Sequence, residues 1–238
     1  MDGLVYRNLV KTDLVGFRVK IEESDLLILA ETDLSTIASD YLLKIRDEIK
    51  RYVRNNPLFL KSFIPLPMDE LAPDVVRRML EVSALAGVGP MASIAGTIAE
   101  FVGDYLSNFS GEIIVENGGD IYINSKKERI VALYAGDSPI SGKLAIKLPP
   151  GRYGIATSSA TFGHSLNLGI VDMATVVSNS SSLSDAFATA LGNRVRHPVD
   201  IKSALDWLSS FKNLGIIGGV VVVKGNVGIW GDMEVVRL

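Results

Sequence analysis

Apolar positions along this chain alternate, then recur at helical spacing, then alternate again. From Val15 to Ile21, Phe17, Val19 and Ile21 share one side of an expected strand. Leu26 to Ala30 is a second short apolar run, set off by the turn residues Glu22, Glu23, Ser24 and Asp25. Ile37, Tyr41, Ile45, Ile49 and Val53 then repeat at about four residues, which predicts a long amphipathic helix over 34–54. Asp33 or Ser35 is placed to cap it. Four prolines (Pro57, Pro65, Pro67 and Pro73) mark 56–73 as a connector. A helix is expected over 74–85. Gly87, Gly89 and Pro90 interrupt the chain before a small-residue helix over 91–106.

The second half changes period. Short strands are expected at 113–115, 121–123, 130–134, 144–146, 154–156 and 174–177, with helices at 181–191 and 198–211. The run 219–230 reads as a hairpin turning at Gly225-Asn226. Strands and helices come in groups rather than in strict alternation. That favours an α+β fold of layered mixed or antiparallel sheets with packed helices. One domain spanning 1–238 is expected. The proline-rich connector is its best internal boundary, but the part before it is too small to fold alone.

Composition narrows the function classes. The chain is 47% hydrophobic with a net charge of −3, acids and bases being mixed along its length. No basic stripe exists for a phosphate backbone to follow, so nucleic acid is not an expected partner. Cysteine is absent, which excludes disulfides, thiolate metal sites and a cysteine nucleophile. No apolar run is long enough to span a bilayer, and residues 1–7 lack a signal core, so a cytoplasmic protein without a membrane partner is expected. The apolar richness points weakly to a homodimer.

Candidate chemistry gathers at four places. Asp185 and Thr189 are four residues apart on an expected helix, so their oxygens share a face and suit a hard cation. On spacing alone the plainer assignment outweighs it: Asp185 as a first-turn partner of the helix dipole, Thr189 bonding back to the preceding turn. Asn117-Gly118-Gly119-Asp120 lies between two strands, either as a plain hairpin turn or as a bare turn that admits a ligand beside Asp120. Thr157 and Ser158 open a hydroxyl-rich loop, suited to phosphate or ribose or else simply solvated. In the same loop His164, one of only two histidines, is the candidate acid–base residue, although a lone loop histidine is more often structural or solvent-facing. Gly87-Val88-Gly89-Pro90-Met91-Ala92 leads into a helix start, which suits either anion binding or tight helix packing.

In this order, the stretches 86–92, 115–121, 156–158 and 184–190 resemble the ApbE-type flavin transferase superfamily, and more closely its shorter prokaryotic branch. The resemblance implies a Mg²⁺-dependent enzyme that takes FAD, a flavin nucleotide, and transfers FMN to a hydroxyl of a protein substrate, releasing AMP. It implies that Asp185 and Thr189 ligate the metal, with Ala95 offering a main-chain carbonyl. It places Gly118, Gly119 and Asp120 beside the nucleotide and Thr157 and Ser158 at the cofactor's border. Two departures stand out. The family's Ile-Ala-Lys-Gly reads Ile94-Ala95-Gly96-Thr97 here, without the lysine. Its His-x-x-Asp-Pro-x-x-Gly segment is replaced by 163–169. These departures keep a second function class in view: a non-catalytic protein that holds flavin or another nucleotide on a degenerate transferase site. An enzyme for another small metabolite, with His164 as acid or base, is the third.

Overall fold

β1 (Val15–Ile21) and β2 (Ser24–Ala30) form the expected first hairpin, and α1 (Ser35–Asn55) follows. The computed structural model describes residues 12–136, 138, 140–159 and 171–238. The connector holds a short helix that the prolines had hidden, α2 (Pro57–Lys61), with Pro57 at its first position, where a missing N–H costs nothing. After α3 (Asp74–Ala86), the expected helix over 91–106 divides into a 3₁₀ turn (Pro90–Ser93) and α4 (Ile94–Leu106).

Then come β3 (Ile113–Asn117), β4 (Asp120–Ser125), β5 (Arg129–Leu133), β6 (Leu144–Leu148), β7 (Gly151–Ser158) and β8 (Met173–Ser178). The chain finishes with α5 (Ser181–Asn193), α6 (Asp200–Ser209), β9 (Ile216–Val223), β10 (Asn226–Gly231) and β11 (Glu234–Arg237). The β9–β10 pairing of Val223 with Asn226 makes Lys224 and Gly225 the turn residues, one position earlier than expected. Both have positive φ, as a two-residue hairpin turn requires.

An eight-stranded sheet runs β1-β2-β3-β4-β7-β8-β9-β10, and a second sheet runs β11-β6-β5. All described pairings are antiparallel, so the α+β layering expected from the chain is the observed one. Strand alternation assigns the two faces of the large sheet. Ala156, Ala174, Val176 and Val221 pack with Phe187 and Leu191 of α5. Ile155, Met173, Val177 and Val222 pack with Ile146 and Leu148 of the small sheet. A further core joins α1, α3 and α4 to β2–β4 through Leu42, Met79, Val102 and Tyr122. Chemistry on the helix face of β3, β4 and β7 therefore meets α4 and α5.

Candidate functional site

The β3–β4 turn is a hairpin, and it is also the edge of a polar corner. Asn117 pairs with Asp120 across the turn. Gly118 and Gly119 have φ of 66° and 104°, values that L side chains adopt only with strain. The Glu116 carboxylate accepts from the Gly119 N–H at 2.7 Å and fixes the turn. Alternation then aims Asn117 and Asp120 at the helix layer, on the same face as Tyr122.

The corner is completed where α4 crosses α5. α5 starts at Ser181, with the Ser180 hydroxyl accepting from the Leu183 N–H at 3.2 Å. Asp185 therefore lies in the second turn, and the first turn holds no acid. The expected partnership with the dipole of its own helix is not what the fold builds. Its Oδ2 accepts instead from the Gly96 N–H of α4 at 2.8 Å, so it meets the positive end of the neighbouring helix. The close approach depends on Gly96, where an added Cβ would stand 2.4 Å from the Ser181 carbonyl oxygen and 2.6 Å from the Asp185 Cβ. Asn117 Nδ2 donates to the Ala95 carbonyl oxygen at 3.0 Å, orienting that oxygen within the same corner.

A reciprocal contact locks the helix pair. Glu100 of α4 accepts from Ser180 Oγ at 2.5 Å and from the Ser182 N–H at 2.9 Å, capping α5 as Asp185 caps α4. Arg78 donates to Ser180 Oγ at 2.7 Å on the outer side.

Electrostatically the corner crowds two carboxyls out of water. Burial pushes the Asp185 carboxyl up to about 7, against the pull of the Gly96 and Ala95 N–H groups. Burial, then the charges of Asp185 and Glu116, push Asp120 well above the usual carboxylate range, while the Thr157 N–H opposes them. Two carboxylates this close cannot both ionise cheaply without a cation. The donor set is two carboxylates, the Thr189 hydroxyl one turn along α5 and the Ala95 carbonyl. All are hard oxygens of the kind Mg²⁺ prefers. Among the described residues no three His, Cys, Asp or Glu side chains converge, so these side chains supply at most part of an ion's shell. That fits a cation that keeps water and substrate phosphate as its other ligands.

The structure brings Ala95, Asp120 and Asp185 to one corner, with Gly118 and Gly119 in the adjoining turn, and Thr189 lies one helical turn from Asp185 along α5. Asp120, Asp185 and Thr189 each keep 6–7% exposure, so the corner lies just below the surface. Cavities of about 290 and 240 Å³ lie elsewhere, along α1 and Pro73. The Thr157 hydroxyl is turned away from α5 and shares a 2.8 Å hydrogen bond with Thr175 on the opposite face of the sheet. Its backbone, not its side chain, reaches Asp120. Ser158 lies at the end of β7 on the Ala156 face, toward the helices. His164 lies outside the described residues. Residue-by-residue reading passed over Asn117 and Glu100. Asn117 stood in the turn motif as a turn former, and nothing local distinguishes Glu100 from a solvated helix carboxylate.

A family model described as AbpE bacteria matches residues 7–232. A UPF0280 protein of Methanocaldococcus jannaschii is 40% identical over 225 residues, covering 91% of this chain and 90% of that protein. A UPF0280 protein of Methanocella arvoryzae is 37% identical, covering 90% of this chain and 85% of that protein. Among solved structures, the flavinyl transferase ApbE of Pseudomonas stutzeri, in its apo form, superposes with a TM-score of 0.61 at 15% identity, covering 94% of this chain and 95% of that one. The flavin transferase ApbE of Vibrio cholerae superposes with a TM-score of 0.54 at 14% identity, covering 93% and 98%. The chain belongs to the AbpE bacteria family and has the ApbE fold.

Proposed function

We propose that this member of the AbpE bacteria family is a Mg²⁺-dependent enzyme that acts on FAD or a related nucleotide and transfers FMN to a hydroxyl of a protein. The observation that carries this reading is the burial of Asp120 beside Asp185, a negative pair that a cation would neutralise. The names of the two transferases of the same fold supply the substrate class. Asp185, Thr189 and the Ala95 carbonyl would hold Mg²⁺, with Asp120 alongside. Such an ion, when bound, would supply charge stabilisation to the pyrophosphate.

The chain's own residues supply position. The bare Gly118-Gly119 turn lets the nucleotide approach backbone, and Glu116 keeps that turn rigid. Asn117 orients the Ala95 carbonyl. Ser158 and the Thr157 backbone would border the cofactor. The acceptor oxygen bonds to the FMN phosphorus, AMP leaves, and the hydroxyl proton passes to a base, for which His164 is the candidate. The test is AMP release from FAD by the purified chain with MgCl₂, followed by chromatography, with and without chelator. Magnesium-dependent AMP supports the reading. Neither AMP nor transferred FMN removes the transferase.

One observation favours the second reading, a nucleotide-binding protein on a degenerate transferase site. Gly96 stands where the resembled motif has lysine, and the crossing of α4 and α5 leaves no room there for even a Cβ. Tight flavin binding that is indifferent to chelator, without turnover, would select it.

A further inference from the structure

We propose that the connector around Pro57–Ile64 is a docking surface for the protein the site modifies, and that it takes an acidic, apolar segment of that partner. The acceptor's role rests on the function proposed above; the surface stands on separate observations.

Four large apolar side chains are more than half exposed within seven residues: Leu58 at 70%, Leu60 at 54%, Phe63 at 64% and Ile64 at 71%. They are held outward. Phe59 is buried edge-on against Tyr52, with ring centroids 5.2 Å apart, and it pins α2 so that its neighbours face solvent. Pro57, Pro65 and Pro67 stiffen the segment, which lowers the entropy lost on binding. An apolar patch of this kind on a charged surface marks an interaction site.

Charge selects the partner. Residues 50–64 carry Lys50, Arg51, Arg54 and Lys61 and no carboxylate, in a chain whose net charge is −3. Lys50 is ion-paired with Glu22, and Arg51 donates to the Asp47 carbonyl. Arg54 and Lys61 are exposed and have no ion pair among the described residues. Leu and Phe beside unpaired cations complement an acidic, apolar segment.

Position ties the surface to the corner. Gly89 lies directly against the connector, where an added Cβ would stand 1.8 Å from the Ser62 carbonyl oxygen and 3.1 Å from the Phe63 Cα. From Gly89, the 3₁₀ turn and the start of α4 lead to Ala95 over about 11 Å of helical rise. An extended chain covers that in roughly three or four residues. A partner anchored at Phe63 and Ile64 would present a hydroxyl three or four residues away to the Ala95 corner. The same mixture of cations and apolar tips also suits an anionic bilayer. Against that, Leu71, 97% exposed at the far end of the connector, sits beside the exposed Glu70.

The test titrates fluorescein-labelled twelve-residue peptides into the full chain and follows anisotropy. Each peptide carries one threonine, with Leu-Asp-Asp placed three residues before it. Controls replace Asp by Lys, or Leu by Ser. The expected result is binding of the acidic, apolar peptide at least about tenfold tighter than either control. The double variants Arg54→Glu with Lys61→Glu, and Phe63→Ser with Ile64→Ser, should each weaken it at least about tenfold at unchanged melting temperature. No binding, equal binding of the Lys control, or indifference to both variants overturns the proposal. So does co-sedimentation with phosphatidylglycerol vesicles in place of peptide binding, or a dimer that the Phe63→Ser, Ile64→Ser variant splits. Peptide binding needs neither FAD nor Mg²⁺. Failure of AMP release with peptide binding intact removes only the transferase, and the reverse removes only the docking surface.

Discussion

Asp185 and Asp120 share one corner in which burial raises both carboxyls, and the charge of Asp185 raises Asp120 further. A carboxyl raised on folding keeps its proton in the native state after the unfolded chain has lost it. Stability from this pair therefore falls as pH rises from about 4, the ordinary carboxyl range, through about 7, where Asp185 titrates. Melting curves of the metal-free chain from pH 5 to 8 should show that slope, and Asp185→Asn should flatten it. An unchanged slope would mean that the pair is not the source. A magnesium ion held at the proposed site would take the deprotonated pair, so the rise in melting temperature with MgCl₂ should grow across the same window. Asp185→Asn keeps an acceptor for the Gly96 N–H but loses the charge. It should cut magnesium-dependent AMP release at least about 100-fold with folding intact, since a metal's charge stabilisation is worth several kcal/mol. At this scale the chain was partly legible. The Asp185–Thr189 spacing and the Gly-Gly-Asp turn were visible as motifs. Which charge Asp185 answers was not, because its partner, Gly96, lies 89 residues away.

The crossing of α4 and α5 is held by two reciprocal carboxylate caps and by glycine. Gly96→Ala should destabilise the chain by about 1–2 kcal/mol in urea denaturation. The clash is with backbone, so overpacking costs the upper end of its usual range, roughly 2–3 kcal/mol, and alanine's better helix propensity returns about 1. Gly154→Ala, in β7 beneath the start of α5, should also destabilise the chain, since its Cβ would stand 2.2 Å from the Ser181 nitrogen. A neutral or stabilising Gly96→Ala would mean that α4 and α5 are not in close contact at their crossing. Elements were more legible than sites because hydrophobic period is a local signal. α1, α3 and the hairpins stand close to where periodicity put them. The β9–β10 turn slipped by one residue because Lys224, not Asn226, takes the left-handed position. β11 was missed: it is four residues long and pairs with β6, which ends 86 residues before it begins. α2 was hidden by the proline that starts it.

The whole molecule separates its two sheet faces. The small sheet covers one, and the helices cover the other, with the polar corner at the α4–α5 crossing above β3, β4 and β7. Ligands that bind this corner should stabilise the entire chain. At 100 times the dissociation constant the gain is about 2.7 kcal/mol, or roughly 5–10 °C in melting temperature for a chain of this length. FAD with MgCl₂ should give such a shift, and chelator should reduce it; a shift that ignores chelator favours the binding protein. The layered α+β class was legible from the grouping of strands and helices. The strand order was not, because β2 joins β3 only after α1–α4 have been inserted between them. The most direct measurement is an anomalous difference map from crystals soaked in MnCl₂, manganese standing in for magnesium. The predicted result is a peak among the Asp185 and Asp120 carboxylates, the Thr189 hydroxyl and the Ala95 carbonyl. A map without a peak there, with Asp185 still bound only to α4 amides, would contradict a metal site and leave Asp185 as a helix cap.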